Sequence, residues 1–160
     1  MSEYSVVVAE GAQSRFFTLE PVEIPELESG PNLKEHDSLA NPIHKAHQQS
    51  IYADTRGGEN RTAGGQTHGY DEHRQRFDDE MEARFARDIV KHVDALIRSN
   101  GTRRLILCAE KRMLGFLRQA LNGRISRDVQ VIEVPKDLAK LNVRDLHDRL
   151  ARKGYLPARC

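Results

Sequence analysis

The sequence predicts a single α/β domain with a mixed β-sheet, an N-terminal hairpin, one long helix and a βαβ-type C-terminal half. Three observations predict it. Two apolar runs, Ser5-Val6-Val7-Val8-Ala9 and Ser14-Arg15-Phe16-Phe17-Thr18-Leu19, flank the tight turn Glu10-Gly11-Ala12-Gln13. A single apolar stripe recurs every three or four residues from Phe77 to Ile97. After it, short apolar runs alternate with amphipathic stretches, the order in which crossing helices join parallel strands.

Each element has its own reason. Val6, Val7 and Val8 are β-branched and fit a buried strand. Residues 20 to 30 hold Pro21, Pro25 and Gly30 among acids, and Ile24 with Leu27 reads as a short edge strand. From about residue 28 to 70 large apolar side chains are sparse and turn formers frequent, so the segment reads as a long irregular loop. Asp71 can cap the helix that carries Phe77, Met81, Phe85, Ile89, Val93, Leu96 and Ile97, and Asn100-Gly101 can end it. Arg104 to Ala109 is a second buried strand and Lys111 to Leu121 a helix with Met113, Leu114, Leu117 and Leu121 on one face. Val129 to Val134 is a third, closed by Pro135. Leu138 and Leu141 begin a short helical turn, and Val143 to Arg152 is the final helix, stopped by Gly154.

The chain has 160 residues, is 31% charged and 38% hydrophobic, and carries no Trp. That suits one domain with a sizeable core. No apolar run approaches the roughly 18 residues of a membrane span, and Met1-Ser2-Glu3-Tyr4 has no signal-peptide pattern, so a cytoplasmic location is expected. Two cysteines make no disulfide framework: Cys108 reads as a buried structural thiol and Cys160 as a terminal residue. Net charge is +1, but residues 1 to 97 hold 10 Lys/Arg against 18 Asp/Glu, and residues 98 to 160 hold 15 against 6. An anionic partner for the C-terminal half is one reading of this; mutual neutralisation of the two halves is the other.

Three segments carry a resemblance: Val7-Val8-Ala9-Glu10-Gly11-Ala12-Gln13-Ser14-Arg15-Phe16-Phe17, then Leu105 to Arg118 with its Leu114-Gly115-Phe116-Leu117-Arg118, and Val134-Pro135-Lys136-Asp137-Leu138-Ala139-Lys140-Leu141. With the helix containing Arg84-Phe85-Ala86, they resemble the bacterial host-attachment protein family. That family's fold looks like the middle domain of eukaryotic and archaeal class I release factors. The resemblance implies a Gly-Gly-Gln loop just ahead of a long helix, and Gly64-Gly65-Gln66 stand there in this sequence. It implies ribosome or tRNA as partner and peptidyl-tRNA ester hydrolysis as the chemistry. Thr67-His68-Gly69 follow here, where the release factors continue with a small residue and a basic, Phe-containing helix.

The residues fit that chemistry on their own terms. Gly64 and Gly65 lack a Cβ and let the backbone enter a crowded space. The Gln66 N–H can stabilise a developing oxyanion, and its side chain can orient a water. No metal or cofactor is required. The plain alternative is an inert glycine-rich loop. A second constellation is cationic: between Arg98 and Arg127 stand eight Lys/Arg and one acid, Glu110. Arg103, Arg104, Lys111, Arg112, Arg118, Arg124 and Arg127 are the candidate nucleic-acid or anion contacts, expected at loop ends that converge on one edge of a sheet. Against this stands a solvated basic rim. His44 and His47, and His68 and His73 with His36 nearby, read as solvated loop histidines rather than metal ligands; His92 and His147 read as surface or boundary residues. A two-metal nuclease would draw on Glu10, Glu110 and Glu133, but Glu133 lies inside a strand and the cluster is incomplete. Two functions therefore compete: a ribosome- or tRNA-associated release-factor-like module, and a non-catalytic interaction protein that binds an anionic partner.

Overall fold

The valines and phenylalanines of the first 20 residues form the middle of the sheet. In a computed structural model, which describes residues 3–41 and 67–159 and only the backbone of 67–74, strands β1 (Tyr4–Ala9) and β2 (Gln13–Glu20) pair antiparallel with Val7 opposite Phe16. Strand β4 (Arg104–Cys108) lies parallel to β1 on its other side, Val6 opposite Ile106, and β5 (Gln130–Val134) lies parallel to β4. The five-stranded order is β3-β2-β1-β4-β5, with β3 formed by Asn32–Ala40.

Both faces of the sheet are covered, which is why β1 and β4 read as continuous apolar runs. Val7, Phe16, Leu105 and Leu107 pack under helix α1 (Thr67–Asn100), through Phe85, Ile89 and Val93, and under α2 (Lys111–Leu121), through Met113, Leu114 and Leu117. On the opposite face Val6, Val8, Phe17 and Ile106 pack under α3 (Val143–Arg152), whose Leu146 and Leu150 are buried. Each such leucine stabilises by about 1.5–3 kcal/mol relative to an exposed one. Helix α3 starts at Asn142, whose side chain accepts the Asp145 N–H at 2.8 Å. Helix α1 ends at Gly101, where φ is 67° and the N–H donates back to the Ile97 carbonyl.

The predicted class and most element limits are observed. The largest differences lie in residues 20–40. Asn32–Ala40 is a strand, within the segment whose composition reads as irregular loop. Between Arg15–Ser38 and Phe17–Glu35 the register shifts, so β3 spends one residue more than β2. Leu33 therefore joins one core and Leu39 the other, although they are six residues apart. Ile24 and Leu27 form no strand: Leu27 N–H donates to the Ile24 carbonyl in a turn, and both side chains are exposed.

Arg15 ties the layers together. Its guanidinium makes two bonds to Glu35 on β3, at 3.0 and 2.8 Å, and donates to the carbonyls of Ala139 and Leu141 at 3.0 and 2.6 Å. It thus fastens the loop ahead of α3 to the sheet. The pairing raises the Arg15 pKa and holds Glu35 below the usual carboxylate range, in each case mainly through the shared hydrogen bonds.

Candidate nucleic-acid interface

Parallel strands bring their starts together. The Gln130 N–H donates to the Arg103 carbonyl at 2.7 Å, while the N–H groups of Arg103 and Arg104 both donate to the Glu3 carbonyl. The segment before β4, the loop before β5 and the N-terminal segment thus meet at one end of the sheet. Gly123, at φ 74°, turns the chain out of α2 into that loop. Ser126 then holds the loop closed: its carbonyl accepts from Val129 N–H and its Oγ from Asp128 N–H.

Arg103, Arg104, Arg124 and Arg127 are exposed at this end. Arg104 lies over the Tyr4 ring, 5.3 Å from its centroid, and donates to the Tyr4 hydroxyl. Among the described residues Arg103, Arg124 and Arg127 form no ion pair. Exposed Glu3 and Asp128 stand on the same end, so the surface is cationic without being uniform. A guanidinium presents a planar fork that matches two phosphate oxygens, which suits this end to a polyanion.

The remaining cations are elsewhere. Lys111 and Arg112 open α2, beyond the carboxyl end of β4, and β4 alone spans about 13 Å. A strand-helix-strand crossover places the start of the helix at the opposite end from the start of the strand. The seven cations therefore do not converge on one edge. Arg112 bridges Asp79 and Glu82 of α1. Arg118 holds Glu133 with two bonds, at 2.9 and 2.5 Å, which lowers the Glu133 pKa and raises that of Arg118.

The carboxyl ends of β1, β4 and β5 frame a crevice of about 420 Å³ that includes Glu10, Glu110, Asp137, Glu82 and Arg112. Glu10 and Glu110 do share this space, while Glu133, the third candidate carboxylate, is engaged with Arg118. Glu82 and Asp137 are the additions that sequence reasoning missed; their signal is the rule that loops at the carboxyl ends of parallel strands face one crevice. Among the described residues, no three His, Cys, Asp or Glu side chains gather closely enough to hold a metal ion.

Gly64, Gly65 and Gln66 lie outside the described residues, as do His44, His47 and Cys160. Helix α1 begins at Thr67, four residues ahead of the expected cap at Asp71, and takes in positions 68 and 73. His36 is on β3 and its Nε2 meets Thr18 Oγ1 at 2.6 Å, so it is a strand residue rather than a loop one. His147 is 2% exposed, and its Nε2–H donates to the Pro157 carbonyl at 2.8 Å. The expectation of a surface or boundary position fails because His147 shares the buried side of α3 with Leu146 and Leu150 and finds its partner in the segment that follows the helix. His92 is half-buried and stacks against Phe16, 4.2 Å between ring centroids. Cys108 is fully buried, and desolvation pushes its thiol up to about 12.

Sheet order and two-sided packing define the class: a single α/β domain built on a mixed five-stranded sheet. A family model described as "Protein required for attachment to host cells" matches residues 5–150, and the chain belongs to that family. A search of curated proteins gave no match. Among the described residues no helix is long and apolar enough to cross a membrane.

Proposed function

We propose that the domain is a cytoplasmic module that binds an RNA backbone, at the ribosome or on tRNA, through the arginine end of its parallel strands. The observation that carries this reading is the exposure of Arg103, Arg124 and Arg127, without ion pairs among the described residues, beside Arg104. Contacts of this kind release counterions, so four of them give log K a slope of about −3 to −4 against log salt. They read charge rather than sequence. Binding of tRNA and of ribosomes, followed by anisotropy and co-sedimentation across a salt series, tests it. Arg103→Ala, Arg124→Ala and Arg127→Ala each flatten the slope by about one, and Lys111→Ala at the far end leaves it unchanged. Binding that ignores salt, or that Lys111→Ala weakens as much as the others, refutes the assignment.

Peptidyl-tRNA ester hydrolysis through Gly64, Gly65 and Gln66 is the second reading. What supports it is sequence order: Gly64-Gly65-Gln66 directly precede Thr67, the first residue of α1, the order that the resemblance to the release-factor middle domain implies. Labelled peptidyl-tRNA on ribosomes, with Gln66→Ala and Gly65→Ala beside the parent protein, decides it. Peptide release that both substitutions abolish supports catalysis. RNA binding without release leaves a non-catalytic member of the host-attachment family that engages an anionic partner.

A further inference from the structure

The two edges of the sheet are not equally protected. Edge β3 carries the register shift and the charged residues Lys34, Glu35 and Asp37, devices that discourage another strand from pairing. Edge β5 has no such shift and a single charged residue, Glu133, already paired with Arg118: it reads Gln-Val-Ile-Glu-Val, is in continuous register with β4, and ends at Pro135. The bonds Gln130 N–H to Arg103 carbonyl and Ala109 N–H to Val134 carbonyl fix its phase. Gln130, Ile132 and Val134 face β4, so the N–H and C=O groups of Val131 and Glu133 point away from the sheet. Val131 is 39% exposed, the one large apolar side chain so exposed on any described strand. It lines an open groove of about 590 Å³ together with Leu121, Ile125 and Val129.

We infer that edge β5 joins a second copy of this chain, strand to antiparallel strand, about a two-fold axis through Ile132. The phase of these outward-pointing groups, which pair with no other described strand, selects this register. Val131 of each copy then stands opposite Glu133 of the other, and the pair exchanges both N–H···O bonds, giving four bonds across the axis. Ile132 meets its own counterpart at the intervening non-hydrogen-bonded position. Charge also favours a second copy over an anionic or cationic partner. The rim of the groove carries one cation, Arg118, and one carboxylate, Glu133, already bound to each other, so two copies meet without repulsion. Each Val131 covers the aliphatic stem of the partner's Glu133, and the groove walls of both copies are shielded from water. The result is a continuous ten-stranded sheet with an isologous interface.

Sedimentation equilibrium of the full chain over a concentration series reads the assembly directly. A concentration-dependent dimer is expected. Val131→Glu sets a carboxylate opposite the partner's Glu133 at two symmetric places and weakens the dimer about tenfold or more. Val131→Lys sets a cation there instead and retains it, although it removes the same apolar side chain. The register is read by oxidation in a Cys160→Ser background: Ile132→Cys cross-links, since non-hydrogen-bonded antiparallel pairs lie within disulfide reach. Gln130→Cys, opposite the partner's Val134, does not. A chain that is monomeric at every concentration, that binds only unrelated strand peptides at this edge, or whose Val131→Glu and Val131→Lys variants weaken alike overturns the inference. So does cross-linking at position 130 in place of 132.

Discussion

Removing the Arg15 guanidinium should cost the domain more stability than any other surface-reaching charge described above. The side chain is only 15% exposed and makes four bonds to two segments that are far apart in sequence, β3 and the loop ahead of α3. Arg15→Ala leaves the carbonyls of Ala139 and Leu141 without their donor and Glu35 without its partner. Hydrogen bonds to a charged group contribute about 1.5–3 kcal/mol each. The ion pair with Glu35, partly exposed, adds at most about 1 kcal/mol. Water can reach some of the released groups, so the net loss should be near 3 kcal/mol rather than the full sum. At about 2–4 °C per kcal/mol for a chain this long, Tm falls by about 6–12 °C. Urea unfolding followed by far-UV circular dichroism measures it. Repeating Arg15→Ala in a Glu35→Gln background separates the two roles: most of the loss should persist, because the two carbonyls carry it. A loss below about 1 kcal/mol, or one that vanishes when Glu35 is gone, would refute the clamp and leave an ordinary ion pair.

Three further outcomes follow from the same structure. Glu35 has its pKa lowered in the fold, so its contribution is complete above its unfolded pKa of about 4.3 and is lost as pH falls through the folded value; acid unfolding monitored between pH 5 and 2 should steepen below about pH 4, and less so in Glu35→Gln. Cys108, buried and with its thiol pushed up to about 12, should not react with a thiol reagent until the domain unfolds, and Cys108→Ser should cost about 1–3 kcal/mol because it buries a hydroxyl among Ile106, Val134 and Leu146. Leu146→Ala, at 0% exposure between α3 and the sheet, should cost about 2–5 kcal/mol in chemical denaturation.

How much of this was legible depended on whether a segment obeys one period. Helices α2 and α3 do, and their limits at Lys111–Leu121 and Val143–Arg152 can be read from the spacing of Met113, Leu114, Leu117 and Leu121, and of Leu146 and Leu150. Strands β1 and β4 are apolar on both faces because helices cover both. Strand β3 has only two large apolar residues, and its extra residue sends Leu33 and Leu39 to opposite faces, so no alternation survives to be recognised. The cationic residues were visible but their grouping was not. Arg103 and Lys111 are eight positions apart, yet the intervening strand carries the chain from one end of the sheet to the other. Nor does spacing reveal that Arg112 and Arg118 are engaged by Asp79, Glu82 and Glu133, acids contributed by other elements. Asp137 joined Glu10 and Glu110 only once three parallel strand ends were aligned.

That alignment gives the domain an electric axis. Carboxylates outnumber the cations Lys111 and Arg112 where β1, β4 and β5 end, and guanidinium groups outnumber Glu3 and Asp128 where β4 and β5 begin, so charge is partly separated along the strands although the net charge is only +1. A polyanion within about a Debye length, roughly 8 Å at physiological salt, would exert a torque on such a molecule and present the arginine end before any contact forms. Antiparallel pairing through β5 would set two such axes side by side in opposite directions. The dimer would then lose most of its dipole and expose a cationic pole at each end, able to bridge two anionic segments rather than align on one.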